Sequence, residues 1–390
     1  MLDTKLIRST LKKLGLSQAN LATKCGVSKE AVSNWLSGES IPRARKALAL
    51  ADALKLSLDE IFSIENDASK EPVIAYRTRN NRAPSLAAQT AGEEIGRHLK
   101  QLLPLTGSNS VFSPRHLVNP RLDDDYIAKI ASATREQLGL TDIEPVTHNH
   151  LINLFHEFGA FLVPVFWGED KDGHENAMSV YLPDSKSSWV LFNLGCRLDD
   201  FNYWLSHEFA HCLTLHTLQG DEGEKFSEKF AQALLFPEKI AEEALIAVSN
   251  SKAPLKVARS IAGAHNVSVV TVIKAINRIA KLRGEVAPKL ETPAFYAKWK
   301  SEKSSKPTVA KGLFGIDNLN LEDAIRNSEK HFHTPIFHAI AKWQKIQGGR
   351  SPAFISSALN LDLNTAIEMS HILWMSEDWP SGGDSLKSLT

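Results

Sequence analysis

Along most of this chain apolar residues recur at helical spacing, and the places where the spacing fails divide the sequence into blocks. Leu2, Leu6, Ile7, Leu11 and Leu14 fall on one helical face. Ser17 then caps a short helix from Gln18 to Cys25, Gly26 ends it, and Ser28 caps the next, Lys29 to Leu36. Gly38 closes that helix, Pro42 marks a turn, and Ala44 to Leu54 is again amphipathic. From Glu65 to Pro84 the pattern is polar and aperiodic, a linker crossed by one short strand, Val73 to Tyr76. Helical spacing returns at Leu86 to Leu103 and, after a second polar stretch from Ser108 to Pro120, at Tyr126 to Leu138. A helix ending at Gly159 precedes extended segments at Ala160 to Trp167 and Met178 to Leu182. Trp189 to Asn193 reads as a buried strand.

The remaining third is helical. Val257 to Leu282 predicts a pair of short helices with a basic edge, and residues 320–378 predict further amphipathic helices. Glu285 to Lys311, with three prolines, marks a boundary between them, and the last ten residues, rich in Ser and Gly, are expected to be disordered. These blocks predict a mainly α, α+β architecture with a small sheet. Its parts are an all-α unit at 1–63, a linker and helical connector at 64–124, a core at 125–285 and a helical region of unknown role at 286–390.

At 390 residues and 43% apolar, the chain has material for several cores. Its 45 basic and 45 acidic residues exclude a polyanion binder overall. Residues 1–62 nevertheless hold ten Lys or Arg against six Asp or Glu, a net of +4 that suits nucleic acid. Three scattered cysteines imply no disulfide framework, and no apolar run approaches the ~18 residues of a membrane span. A reducing, cytoplasmic setting without membrane attachment is expected.

The candidate chemistry lies in His207-Glu208-Phe209-Ala210-His211. In a helix the two imidazoles sit one turn apart and reach one metal ion, with Glu208 placed beside a bound water as base. The alternative is a core helix with incidental histidines, which would bury three polar groups without a use. Thr217, not His, stands six residues after His211, so a third histidine at the metzincin spacing is absent. His216 reads as a group near or outside the metal shell, and Cys212 as a small buried side chain.

In the amino-terminal block, a short helix, a Gly-containing turn and a second helix give the layout of a helix-turn-helix. Ser17-Gln18-Ala19-Asn20-Leu21-Ala22, Gly26-Val27-Ser28, Val32-Ser33-Asn34-Trp35, Gly38 and Pro42 together resemble the Cro/repressor-like (XRE-type) family. That resemblance implies DNA contacts from Gln18, Ser28, Lys29, Glu30, Ser33 and Asn34, and a homodimer on a pseudo-palindromic operator. Arg43 and Arg45 are candidate phosphate contacts. A helix-turn-helix used only for protein association is the alternative.

From residue 125 to 285 the chain resembles the ImmA/IrrE metallopeptidases. The resemblance rests on Arg135, Gly139-Leu140, Pro145, the HExxH pentad and the run Phe230-Ala231 to Leu234-Leu235-Phe236-Pro237. It implies a zincin-like core with zinc held by His207 and His211. Glu224 and Glu228 resemble the Glu-x-x-x-Asp/Asn arrangement of glutamate-ligand zinc peptidases, which implies Glu224 as third ligand and Glu228 orienting a ligand imidazole. A solvated helix start is the alternative, and Asp221 and Glu222 are fallback ligands. Glu208 would accept the proton of the attacking water and return it to the leaving amine. The strand around Ser179 to Leu182 is expected to pair with an extended substrate.

Three functional readings follow. The first is a DNA-binding regulator whose zinc endopeptidase cleaves a repressor-type protein. The second keeps the DNA binding and makes the peptidase fold a non-proteolytic sensor or dimer scaffold. The third is an antitoxin-like repressor that binds a partner.

Overall fold

The computed structural model describes residues 2, 4–37, 40, 42, 44–56, 58–61, 71–75, 86–107, 116–168, 176–198, 201–316 and 319–376. Gly38, Arg43, Tyr76 and the last ten residues lie outside the described residues. The architecture is α+β: nineteen α-helices and one 3-10 turn (Leu103–Leu105) among the described residues accompany one four-stranded sheet.

The first five helices form the amino-terminal unit: α1 (Thr4–Lys13), α2 (Gln18–Cys25), α3 (Lys29–Ser37), α4 (Ala44–Leu54) and α5 (Leu58–Ile61). Local chemistry sets their ends. The Ser17 hydroxyl accepts from the Asn20 N–H at 3.1 Å, and that of Ser28 accepts from Ala31 N–H at 3.2 Å. Gly26 ends α2 at φ 60, where a side chain would be strained. Leu21, Ala22 and Cys25 of α2 bury against Val32, Trp35 and Leu36 of α3. The Lys46 ammonium donates to the carbonyls of Cys25 and Gly26 at 2.9 and 2.8 Å, so α4 neutralises the free carbonyls at the end of α2.

The sheet comprises β1 (Val73–Ala75), β2 (Phe161–Val165), β3 (Ala177–Leu182) and β4 (Ser187–Asn193), in the order β1-β3-β4-β2. β3 runs antiparallel to both its neighbours, and β2 is parallel to β4. Alternation along the strands gives it two apolar faces. Leu162, Ala177, Val190 and Phe192 meet α7 (Asp124–Gln137), α8 (His148–Phe158), α9 (Phe201–Thr214) and α10 (Gly220–Leu235) in one core. Val163, Val165, Val180, Leu182, Trp189 and Leu191 face a second core. It is built from α6 (Leu86–Leu102) and three late helices, α17 (Ile336–Ile346), α18 (Pro352–Leu359) and α19 (Leu363–Met375).

This second core changes the expected division of the chain. Leu102 and Leu105 carry it from α6 into the amino-terminal helices, so the connector is a central packing element. The carboxyl-terminal helices close the sheet's second face: Trp343 stacks on Phe354 at 3.6 Å, and the Trp167 indole donates to the Leu359 carbonyl at 2.9 Å. A third core joins α11 (Glu238–Ser249), α12 (Pro254–Ala264) and α13 (Val269–Arg283). The stretch 285–311, expected to be a polar boundary, instead contains α14 (Pro293–Ser304) and the start of α15 (Val309–Phe314). Thr292 caps α14, Phe295 buries in the third core, and Arg259 pairs with Glu302 at 2.7 Å. Just after α14 the chain threads back toward the first core, with Val309 N–H donating to the Cys196 carbonyl at 2.8 Å and Leu198 N–H to that of Pro307 at 3.0 Å. Beyond it, α16 (Leu321–Phe332) contributes Phe332 to the first core.

Arg135 is 1% exposed and ties α7 to the end of α10. Its guanidinium donates to the carbonyls of Thr141 and Leu234, each at 2.6 Å, and to that of Glu144. Arg135→Met leaves those carbonyls without a buried donor. The expected loss is about 3 kcal/mol of stability, read as a lower denaturation midpoint at unchanged m-value.

Glu329 on α16 supplies a pH dependence. Burial pushes its carboxyl up to about 8, outweighing a backbone N–H bond from His338, and its Oε1 is buried without a hydrogen-bond partner. The folded chain therefore holds a proton that the unfolded chain has released above its ordinary value of 4.5. Stability from this group falls as pH rises between those two values and levels off above about 8. Glu329→Gln is expected to raise stability by roughly 2 kcal/mol at pH 8 and by little at pH 5, a gap that thermal melts at the two pH values measure.

No helix among the described residues is long and apolar enough to cross a membrane.

Candidate metal centre and helix-turn-helix

The pentad occupies the middle of α9, where every residue from Trp204 to Thr214 is buried. Phe209 fixes the rotation of this helix, meeting Phe155 and Phe158 of α8 at 5.3 and 5.5 Å and Phe230 of α10 at 6.3 Å. With that face turned into the core, His207 and His211 point toward α10, and their Nε2 atoms stand 3.1 Å apart. Glu224, in the second turn of α10, places Oε1 3.1 Å from His211 Nε2 and Oε2 3.4 Å from His207 Nε2. These are the three residues among those described that could hold a metal ion together.

The separations test the fit of zinc. Ligands about 2.05 Å from a tetrahedral ion lie about 3.3 Å from one another. The two imidazole nitrogens, 3.1 Å apart, lie close to that value. Glu224 reaches them through different oxygens. One ligand atom from each of the three residues lies within 4.8 Å of the others, so they can gather round one ion. The donor set, two imidazoles and one carboxylate, leaves a fourth tetrahedral position free of protein. Burial by itself would raise the Glu224 pKa, but hydrogen bonds and charge from the two imidazoles hold it well below the carboxylate range. A cation in the same place favours the same ionised form.

Glu208 is 2% exposed. The Ser179 hydroxyl on β3 donates to its Oε2 at 2.6 Å, so the sheet orients this carboxylate. Ser179 was legible as part of a strand, and its polar side chain at an inward position of an apolar run was the signal of a further role. The other candidates separate clearly. Glu228, expected to orient an imidazole, is exposed, and His211 Nδ1 is buried without a hydrogen-bond partner. The rotation of α10 that brings Glu224 inward carries the residue four positions on along the outer edge. Asp221 and Glu222 are also exposed and do not join the triad. His216 packs against His116 at 4.6 Å and Tyr181 at 6.3 Å. Cys212 is buried, and burial pushes its thiol far up, so it remains protonated.

The strand Ser179 to Leu182 does not present a free edge. β1 pairs with it, Val73 opposite Tyr181, Ile74 opposite Val180 and Ala75 opposite Ser179. The expected substrate-pairing edge is therefore already occupied by the chain itself.

In the amino-terminal unit, α3 buries Val32, Trp35 and Leu36 and exposes Lys29, Glu30, Ser33 and Asn34. Those four positions share one outward face, as a recognition helix requires. Ser28 is exposed at its start but uses its hydroxyl as the cap. Gln18 is half-buried at the start of α2, and Arg45 is exposed on α4.

Comparison with known proteins bears on this unit. Residues 7–61 match the helix-turn-helix family. A segment of 74 residues is 39% identical to repressor protein C2 of Salmonella phage P22, covering 19% of this chain and 33% of the repressor. The chain thus spans about one third of the length of that curated relative. No solved structure matches. The amino-terminal unit is a helix-turn-helix domain, similar over this segment to a phage repressor.

Proposed function

We propose that this protein is a DNA-binding transcriptional regulator that carries a zinc-dependent endopeptidase and cleaves a repressor-type protein in the cytoplasm. The observation that supports the peptidase reading is the convergence of His207, His211 and Glu224, close enough to share one metal ion, on the helix that carries Glu208 and the helix after it. The resemblance of residues 125–285 to ImmA/IrrE metallopeptidases points the same way.

His207, His211 and Glu224 would hold zinc, which when bound would supply a Lewis acid to activate water and polarise a peptide carbonyl. Glu208 accepts a proton from the attacking water and delivers it to the leaving amine. Ser179 orients that carboxylate through its 2.6 Å bond to Oε2. The protein walls around the pentad exclude bulk water, which strengthens each of these charge interactions.

The amino-terminal domain brings operator DNA as partner. In this reading a homodimer spaces two α3 helices about 34 Å apart along the duplex. Gln18, Lys29, Glu30, Ser33 and Asn34 lie at the groove, and Arg43 and Arg45 lie at phosphates. Lys29→Ala in the full chain is expected to weaken operator binding and lower the slope of log K against log salt by about 1. An unchanged slope in titrations from 50 to 200 mM salt removes Lys29 from the interface. The peptidase is tested by incubating the zinc-loaded chain with co-encoded repressors and following their fragments by mass spectrometry. Fragments formed equally by wild type and Glu208→Gln would overturn the assignment.

A further inference from the structure

An extended polypeptide recognised beside the triad needs a strand edge to pair with, and β3 is the strand that carries Ser179 to Glu208. That edge is filled by Val73–Ala75, from the segment joining the helix-turn-helix domain to α6. β1 lies antiparallel to β3 and ends with Ala75 opposite Ser179, next to the residue that holds the general base. Ala75 buries with Tyr181 and Leu215, the latter immediately past α9, and β1 also contacts α10, which bears Glu224. A three-residue strand therefore packs on α10 and on the residue just past α9 while using the backbone groups of β3.

We propose that the β3 edge is the recognition site for an extended polypeptide and that Val73–Ala75 is its resident occupant, a substrate mimic built into the interdomain connection. The proposal rests on the endopeptidase reading of the triad. Only three residue pairs hold β1 to β3, so the ladder is short enough to open without unfolding the domain. Tethering raises the effective concentration of the occupant to the order of millimolar, so a free peptide competes poorly until the strand is loosened. Because β1 follows the DNA-binding domain directly in sequence, any event that pulls on that connection is coupled to access at Glu208.

Gly96 on α6 offers a way to loosen the strand. A Cβ there would stand 2.4 Å from Pro72 Cβ and 2.5 Å from its Cγ, so Gly96→Ala pushes the residue that leads into β1 while favouring the helix it sits on. Ile74→Pro breaks the strand itself.

The experiment uses the full chain carrying Glu208→Gln, alone and combined with Gly96→Ala or Ile74→Pro. The probe is a dye-labelled peptide with the sequence of residues 71–75 between short Gly-Ser flanks. Fluorescence anisotropy should show binding at least tenfold tighter in the loosened chains, and the bound peptide should protect the amides of Ser179–Leu182 from hydrogen exchange. Equal affinity in all three chains, or tight binding without protection at Ser179–Leu182, overturns the proposal. Should both variants fail to fold, exchange in the unmodified chain decides. Amides of 73–75 and 179–182 that open well below the global unfolding free energy support a displaceable occupant, and amides that exchange only with global unfolding refute it. A loosened chain with Glu208 intact that binds the peptide at this edge but cuts none when zinc-loaded supports the edge and refutes the peptidase reading.

Discussion

Glu208→Gln is expected to lower cleavage of a protein substrate by roughly 10²–10⁴-fold while leaving zinc content unchanged. The two halves of this expectation come from different atoms. The amide keeps the volume of the side chain and can still receive the Ser179 hydroxyl through its carbonyl oxygen, so the packing of α9 against β3 survives. It cannot take a proton from water at neutral pH, so the transfer to the leaving amine is lost. Glu208 is absent from the His207, His211 and Glu224 cluster, so metal uptake measured by atomic absorption should match wild type. Ser179→Ala supplies a graded companion. It removes the bond that orients the carboxylate without removing the base, so kcat should fall more than KM rises, and less than in Glu208→Gln. Cleavage that persists in Glu208→Gln would place the chemistry elsewhere.

Local signals made much of this legible. Ser17 and Ser28 announce helix starts because a cap depends on neighbours three residues away, and both caps form. The HExxH spacing fixes the relation of His207 to His211 within one helix, and Glu224 joins them from the next. What failed to show depends on partners far along the chain. The inward or outward turn of Glu228 follows from the angle at which α10 lies on α9, set by Phe209 and Phe230 rather than by spacing. Val73 to Ala75 was recognisable as a strand, but its pairing with residues more than a hundred positions later was not. The stretch 285–311 looked polar because its contributions are a few scattered anchors, Leu290 and Phe295 in the third core and Val309 in the first. The connector and the carboxyl-terminal helices read as separate because each shows only its own amphipathic stripe. The surface that both cover is a sheet face formed elsewhere.

Glu224→Ala should remove most of the thermal stabilisation that zinc confers, and the companion Glu224→Gln tells ligation from packing. In wild type, zinc at a thousandfold its dissociation constant adds about 4 kcal/mol to the folded state, which raises Tm by several degrees. Each protein ligand supplies roughly a quarter of the ~10–16 kcal/mol typical of four-ligand zinc sites, so losing one weakens binding by about two orders of magnitude or more. The apo chains differ for another reason. Without Glu224 the two Nε2 atoms face each other at 3.1 Å in a buried site with no carboxylate to satisfy them, so apo Glu224→Ala should melt below apo wild type. Glutamine keeps the side-chain volume and offers a carbonyl to one imidazole. Apo Glu224→Gln should therefore melt close to wild type, yet show little shift when zinc is added. Glu228→Ala, on the exposed side of α10, should keep the full zinc shift. Melting curves of the four chains with and without zinc separate these cases. A full zinc shift in Glu224→Ala, or its loss in Glu228→Ala, would move the third ligand away from Glu224.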